Sequence, residues 1–309
     1  MAITGATAMD LEFFKKHGLE KSIWNSAPLG TQIQWFQQLM PSICGSGAEL
    51  PVRCNDYNAP IFDGRAMAEV TSYVPQIVDR ITSGVEVRVR RAAREKRKQQ
   101  LAAALTYVVA DADRAGRGGR GGSWRGVLPI GCFPVYLTLY PGRNKGDYDD
   151  TGCLKTYNDL ASHHNELLKQ AVSGLRSKHA GVRLMYADLY AQVADMVRSP
   201  ETFAHAVAVV FSLVYVYCVH TQPAFKLKLY VCIHRSSGLK YGLRVCCGAD
   251  GQGSYNYNNG ARCGDSGSGA CGDPENYLVW DGIHLTDAAY RSIADGWLDG
   301  AYCSPGILH

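Results

Sequence analysis

Apolar residues recur at intervals of three and four along several stretches of the chain, which predicts amphipathic helices. The clearest stretch is 157–178, where Leu160, Leu167, Leu168 and Leu175 share one helical face. The same spacing predicts helices over 29–44, 67–81, 189–197 and 285–298. A short apolar run over 182–188 predicts a strand, and the Asn-Asp pair at 55–56 predicts a turn.

Two segments break this pattern. Residues 87–125 hold eleven Lys or Arg and three Asp or Glu, including an Arg-Gly tract over 114–125. This segment carries a net charge of +8 in a chain of net +4, so the remainder sums to −4. Such a composition cannot bury a core, and we expect a solvated insertion there. Residues 204–237 contain a run of fourteen mostly apolar residues, 206–219, which is too short for a stable membrane span of ~20 residues.

The chain has eleven cysteines, which are many for a reduced cytosolic enzyme of 309 residues. We therefore expect a secreted or extracellular protein with disulfide bonds. No Cys-x-x-Cys pair occurs, so no structural zinc site is expected. Residues 1–15 lack the features of a signal peptide, which favours a truncated form of a secreted protein.

Asp281 and His284 are the residues most suited to catalysis, because they lie three positions apart just before a predicted helix. A carboxylate that accepts the Nδ1–H of an imidazole fixes its tautomer and stabilises the imidazolium. The Nε2 atom can then take a proton from a nucleophile. An Asp-x-x-His pair alone is common, and a surface Asp followed by a helix-entry His is the plain alternative.

Several longer motifs carry a family resemblance. Residues 276–307, NYLVWDGIHLTDAAYRSIADGWLDGAYCSPGI, and 128–140, LPIGCFPVYLTLY, resemble signature blocks of plant GDSL-type esterases and lipases of the SGNH-hydrolase superfamily. The same holds for 31–44, TQIQWFQQLMPSIC, for Asn55-Asp56-Tyr57, and for GATAMD at 5–10. The blocks occur in the family's order, and the resemblance as a whole covers about three-quarters of the chain.

The resemblance implies one SGNH-hydrolase-like domain over 1–309, with inserts at about 87–125 and 204–237. The implied fold is an α/β, three-layer α/β/α sandwich with a doubly wound parallel sheet. The implied activity is hydrolysis of an acyl ester or an acetylated carbohydrate through a serine nucleophile. His284 would be the general base, with Asp281 as its carboxylate partner. Asn55 and Gly5 would donate the hydrogen bonds of the oxyanion hole. The resemblance implies no metal or organic cofactor, and we expect a monomer.

The chain also departs from the family. Residues 53–56 read Arg-Cys-Asn-Asp where the family commonly has Gly-Gly-Asn-Asp, so a side chain stands where glycine allows close approach. The block with the nucleophilic serine and the first strand should precede the block at Gly5, and we expect both to be missing. The remaining Gly-Asp-Ser, at 264–266, follows no apolar strand, so we do not assign Ser266 as the nucleophile.

The cysteines allow a partial pairing argument. Without Cys218 and Cys232 in the insert, and without the anomalous Cys54, eight remain, an even number suited to disulfides. Their connectivity stays open, although a Cys263–Cys271 bond would close a short loop around Ser266.

Two other functions stay open. The chain could be a non-catalytic remnant or pseudo-enzyme of this family, since no nucleophile is assigned. The Arg-Gly segment could bind RNA through charge and stacking, but few aromatic residues accompany it, so we expect no nucleic-acid partner.

Overall fold

The computed structural model describes residues 7–23, 28–31, 34, 55–84, 86, 90, 122–179, 184–203, 206–209, 232–235, 238–248 and 253–305. The chain divides into two compact units, and each is described by itself. The first comprises Met1–Ala194 with Ile293–His309, and the second comprises Asp195–Ser292. The single domain with inserts that the sequence suggests stays a prediction.

The described helices agree with most of the periodic stretches. They are Leu11–Lys16, Asn55–Phe62, Met67–Ser72, 74–84, Pro134–Leu139, Lys155–Lys178, Leu189–Arg198 and Asp287–Leu298, with short 3-10 turns at Ile130–Cys132, Lys145–Asp147, Pro200–Thr202 and Pro274–Asn276. The helices predicted over 157–178, 189–197 and 285–298 are thus confirmed, and that over 67–81 is interrupted at Tyr73. Of 29–44, only residues 29–31 and 34 lie in the described part, and they are helical.

The turn predicted at Asn55-Asp56 is wrong, because Asn55 begins a helix that ends at Phe62. Asn and Asp favour the first positions of helices as well as turns, since their side chains accept from nearby backbone N–H groups. The sequence alone does not separate these two uses.

The described strands are short and form small sheets. They are β1 (Gly122–Arg125), β2 (Leu184–Ala187), β3 (Ala206–Val209), β4 (Cys232–Arg235), β5 (Tyr241–Val245), β6 (Cys247–Gly248), β7 (Gly269–Ala270), β8 (Tyr277–Val279) and β9 (Cys303–Ser304). The strand predicted over 182–188 is confirmed as β2.

In the first unit, β2 lies between β1 and β9. It pairs in parallel with β1, where Gly122 faces Leu184 and Arg125 faces Ala187. It pairs antiparallel with β9, where Ala187 faces Cys303. β1 therefore contains the last four residues of the basic segment 87–125. Most of 87–121 and of 204–237 lies outside the described residues, so both inserts stay predictions.

In the second unit, β3 pairs antiparallel with β4, β5 pairs in parallel with β8, and β6 pairs antiparallel with β7. The described strands thus include both parallel and antiparallel pairs. No described helix combines the length and apolar character needed to cross a membrane.

The helix Lys155–Lys178, the longest in the described part of the chain, organises the core of the first unit. Its buried side chains lie along one face at helical spacing: Asn158, Leu160, Ala161, His164, Asn165, Leu168, Val172 and Leu175. The fully apolar members remove their surface from water, which is the main driving force of folding. The four residues of β2 are all buried, as expected for a strand covered by such a helix.

Asn165 ties this helix to the chain that leaves β1. Its Oδ1 accepts from the Val127 N–H at 2.6 Å, and its Nδ2 donates to the Val127 carbonyl at 2.9 Å. Both residues are buried, so water cannot replace either partner. One side chain therefore satisfies both backbone groups of Val127.

We expect Asn165→Ala to lower the free energy of unfolding by roughly 2–4 kcal/mol, because two buried backbone groups lose their partners. Urea denaturation followed by circular dichroism measures the change. Asn258→Ala, at an exposed loop position, is the matched control and should cost less than about 1 kcal/mol. Equal effects of the two substitutions would contradict this account.

Candidate active site

The Asp281–His284 turn follows directly from β8 in the second unit. The Trp280 N–H donates to the His284 carbonyl at 2.7 Å, and Val279 forms a β-bridge with Leu285. The chain therefore folds back on itself between 279 and 285. Asp281 and His284 lie at the two ends of the four residues that make this reversal.

Thr286 fixes the exit from the turn. Its backbone N–H donates to the Leu278 carbonyl at 3.0 Å, and its hydroxyl donates to the Tyr277 carbonyl at 2.6 Å. The same hydroxyl accepts from the Ala289 N–H at 3.2 Å, so Thr286 caps the Asp287–Leu298 helix. A cap that is also bonded to β8 sets the direction in which the helix leaves the turn.

The carboxylate of Asp281 receives three hydrogen bonds. Its Oδ2 lies 2.7 Å from His284 Nδ1. Its Oδ1 accepts from the backbone N–H groups of His284 at 2.8 Å and Ile283 at 3.1 Å. Both oxygens are therefore used within the turn itself.

Burial alone would raise the pKa of Asp281, but the hydrogen bonds and the charge of His284 outweigh it and hold the pKa below its usual range. The carboxylate is thus ionised near neutral pH and accepts from Nδ1–H of His284. The side chain of His284 is 56% exposed, against 25% for Asp281, so the rest of the imidazole faces outward. An ionised acceptor at Nδ1 directs Nε2 to act as a base.

Two disulfides lie beside the start of this turn. They join Cys246 to Cys271 and Cys247 to Cys263. The backbone N–H groups of Cys246 and Cys247 donate to the carbonyls of Val279 at 3.0 Å and Trp280 at 2.7 Å. The cross-linked pair is therefore hydrogen-bonded to the two residues that precede Asp281.

The Cys263–Cys271 bond, one of the pairings that the sequence leaves open, does not form, because each of these cysteines pairs with one of the adjacent residues Cys246 and Cys247. Sequence proximity favoured the shorter loop, whereas the β6–β7 pairing brings Cys271 next to Cys246. A third disulfide, Cys132–Cys153, lies in the first unit, and Cys303 is buried.

Ser266 lies in an exposed turn between Cys263 and Cys271. The neighbouring Ser268 hydroxyl closes this turn by accepting from the Gly264 N–H at 3.1 Å and donating to the Asp265 carbonyl at 2.8 Å. Ser266 therefore does not follow a strand, as the sequence suggested.

Asn55, in the first unit, is the opening residue of the Asn55–Phe62 helix and is half-buried. Its Oδ1 accepts from Asn58 Nδ2 at 3.4 Å, and Asn58 Oδ1 accepts in turn from the Tyr136 hydroxyl. This chain of bonds uses the amide oxygen of Asn55. An oxyanion donor would use the amide nitrogen, so the two roles do not compete.

Asp56, which sequence reasoning left without a role, is the best anchored residue of this block. It is 1% exposed, and its Oδ2 and Oδ1 accept from the N–H groups of Ala8 at 2.8 Å and Met9 at 2.9 Å. Residues 7–9 belong to the block that opens at Gly5, so Asp56 joins the two blocks assigned to the oxyanion hole. The adjacency of an acidic residue to Asn55 was the available signal, but sequence does not report burial.

Burial raises the pKa of Asp56 to about 6, although the N–H groups of Ala8 and Met9 pull in the opposite direction. Next to it, the Tyr57 hydroxyl lies 2.6 Å from Nδ1 of His164, a fully buried histidine. Burial, helped by the charge of His163, lowers the pKa of His164 to about 4, so this histidine is neutral near pH 7. It packs the helix and does not act as an exposed base.

The structure thus brings Asp281 and His284 together, and it joins the helix of Asn55 to residues 7–9. Gly5 and residues 53–54 lie outside the described residues. Asn55 and His284 belong to different units, so their joint role in one active site stays a prediction. Within the described ranges, no group of three His, Cys, Asp or Glu side chains is suited to hold a metal ion.

Comparison with known proteins gives consistent matches. The family described as GDSL-like Lipase/Acylhydrolase matches residues 1–297. A GDSL esterase/lipase of Arabidopsis thaliana, At1g28600, is 31% identical over 317 residues, which cover 98% of this chain and 65% of that protein. The sinapine esterase of Brassica napus is 30% identical over 320 residues, covering 99% of this chain and 66% of that protein. The chain thus spans just under two thirds of the length of these curated relatives.

We expect Asp56→Ala to destabilise the first unit by roughly 2–4 kcal/mol, because the N–H groups of Ala8 and Met9 both lose their acceptor. Hydrogen exchange of these two amides should accelerate most. Asp63→Ala is the matched control, since Asp63 is exposed and pairs only with surface groups. Unchanged exchange at Ala8 and Met9 would contradict the anchoring role.

The raised pKa of Asp56 predicts a pH dependence. Between its ordinary value of 3.8 and its folded value of about 6, the folded protein binds more protons than the unfolded chain. The free energy of unfolding should therefore fall as pH rises through this window, by about 3 kcal/mol for a shift of about two units. Denaturation between pH 4 and 7 should show this fall in the free energy of unfolding in the wild type and not in Asp56→Asn. If the difference in unfolding free energy between the wild type and the variant stays constant with pH, the prediction is refuted.

Proposed function

Because the chain belongs to the GDSL-like lipase/acylhydrolase family, we propose that it supplies the catalytic base of a serine-dependent ester hydrolase. The observation that carries this proposal is the Asp281–His284 pair, with 2.7 Å between Oδ2 and Nδ1. Its position in the motif is the one that the family resemblance assigns to the base.

In the proposed reaction, Nε2 of His284 takes the proton of a serine hydroxyl as the oxygen attacks the ester carbonyl. The ionised Asp281 stabilises the imidazolium that results. The proton then passes to the leaving alcohol, and an acyl-serine remains. Water attacks this ester with the same histidine as base, which releases the acid and restores the serine.

Asn55 and Gly5 are the proposed donors to the carbonyl oxygen, which becomes negative during each attack. Such donors contribute most when they are fixed before the reaction, and loss of one typically costs ~10²–10³ in rate. The two hydrogen bonds from residues 8 and 9 to Asp56, and the bond from Asn58 to Asn55, support fixed placement of this region. The substrate we propose is an acyl ester or an acetylated carbohydrate.

Among these 309 residues we assign no nucleophile. The family's serine belongs to a block that precedes the one at Gly5, and Gly-Asp-Ser occurs here only at 264–266. We further propose a three-layer α/β/α sandwich, a monomer without nucleic-acid partners, and an oxidising compartment outside the cytosol, which the three disulfides favour.

A chimera tests the proposed roles of Asp281 and His284 independently of the nucleophile. Residues 276–304 of this chain replace the aligned segment of the Brassica napus sinapine esterase, and sinapine hydrolysis is measured. We expect the chimera to keep activity within about tenfold of its parent, whereas His284→Ala and Asp281→Ala within it should each lose roughly 10⁴-fold or more in kcat.

The matched control within the chimera is Asp287→Ala, because Asp287 is 79% exposed and pairs only with Arg291 on the surface. This variant should retain the rate of the chimera. An active chimera that tolerates His284→Ala would exclude this residue as the base.

A second prediction concerns the 309-residue chain itself. Purified protein treated with a serine-reactive fluorophosphonate should carry no label, since no serine is expected beside the base. Mass spectrometry of tryptic peptides measures labelling, with Ser266→Ala as the control. Stoichiometric labelling of Ser266 would show that the exposed turn holds a nucleophile after all.

A further inference from the structure

The aromatic ring of Tyr257 packs directly on the Asp281–His284 turn. Gly282, the second residue of this turn, is buried and has a φ of +100°. A Cβ at Gly282 would lie 2.7 Å from Cδ2 and 2.9 Å from Cε2 of Tyr257, closer than side chains approach one another. The position therefore requires glycine both for its backbone conformation and for the contact with the ring.

Tyr257 is itself held from one side by the end of β5. The Val245 N–H donates to the Tyr255 carbonyl at 3.0 Å, and Asn256 Nδ2 donates to the Val245 carbonyl at 3.2 Å. The Asn256 carbonyl approaches Gly248 so closely that a Cβ there would lie 2.4 Å from it. The two residues before Tyr257 are thus fixed to the backbone of 245–248.

On its other side, the Tyr257 segment is tied by the Cys247–Cys263 disulfide, which closes the loop between these residues. Cys246 and Cys247 also donate to the carbonyls of Val279 and Trp280, as described above. One short stretch of chain, 245–248, therefore holds both the Tyr257 loop and the residues that lead into the turn.

The geometry of the Asp281–His284 pair depends on this turn. Asp281 Oδ1 accepts from the N–H groups of Ile283 and His284, so the carboxylate keeps its direction only while the backbone at 282 keeps its conformation. A glycine has many alternative conformations, and the exposed imidazole contributes little packing of its own. A rigid neighbour is needed to hold the turn.

We propose that Tyr257 is a positioning residue, whose ring holds the turn at Gly282 and thereby keeps Asp281 aligned on Nδ1 of His284. Its role in catalysis rests on the proposed function, because Tyr257 would act through Asp281 and His284. The placement of the ring against the turn is independent of any activity.

The test compares Tyr257→Ala with Tyr257→Phe in the full chain by NMR. The ring supplies the contact, so Tyr257→Phe should behave as the wild type. In Tyr257→Ala, the carboxyl pKa of Asp281 should rise toward its ordinary 3.8, because the hydrogen bonds that lower it are partly lost. Amide exchange of Ile283 and His284 should accelerate by at least about tenfold through local opening.

General loosening is distinguished by an internal reference. The Thr286 N–H, bonded to Leu278 just beyond the turn, should exchange at its wild-type rate in Tyr257→Ala. Tyr290→Ala is the matched control, because it also removes a tyrosine but at a position that is 51% exposed. It should leave the Asp281 pKa and the exchange of Ile283 and His284 unchanged. Tyr257→Leu, which retains part of the volume, replaces the alanine variant if the latter does not fold and should shift both readouts in the same direction.

A double-mutant cycle tests the contact itself. Gly282→Ala strains the backbone and makes the new Cβ overlap the Tyr257 ring. Adding Tyr257→Ala to this variant relieves the overlap but not the backbone strain. The double variant should therefore lose less stability than the sum of the single variants. An unchanged Asp281 pKa and unchanged exchange in Tyr257→Ala, or strict additivity in the cycle, would overturn the proposal. Failure of the chimera alone would reject the base assignment and leave this contact standing.

Discussion

A carboxylate that leaves water needs hydrogen-bond donors in place of the water it loses, and one aspartate in each unit meets this requirement. Asp56 uses the N–H groups of Ala8 and Met9, and Asp281 uses those of Ile283 and His284 together with the imidazole. In each case the donors are mainly backbone groups. The need to satisfy a charge therefore fixes the course of the chain around it, and this course places the neighbouring side chains.

The two aspartates differ in the balance of forces that act on them. Asp56 is almost fully buried, and the cost of burying its charge exceeds the gain from its backbone N–H donors, so its pKa rises to about 6. Asp281 is partly exposed, and the side chain and charge of His284 add to its backbone donors, so its pKa is lowered. A side-chain partner that can carry charge and partial access to water thus separate the carboxylate that stays ionised from the one that anchors the chain.

Sequence reasoning succeeds where the relevant interaction is local. The 157–178 helix, the 182–188 strand and the Asp281–His284 pair follow from residues within a few positions of one another, and all three are present. It fails where distant contacts decide: β1 forms from an Arg-Gly-rich segment that pairs with Leu184–Ala187, and Cys263 bonds to Cys247 instead of Cys271. Asp56 belongs to this second class, since its partners lie 47 and 48 residues away. Amino-acid composition and residue spacing do not predict such long-range pairings.

The contacts described above that position Asp281 and His284 come from a short part of the chain. Val245–Gly248, the Tyr257 loop, β8 and the turn lie between residues 241 and 286, and two disulfides cross-link this part. The region of Asn55 is shaped separately, by Asp56 and residues 7–9. Each region is thus shaped by hydrogen bonds within its own unit. The placement of the proposed base and the placement of the proposed oxyanion donors are therefore two separate requirements on the sequence.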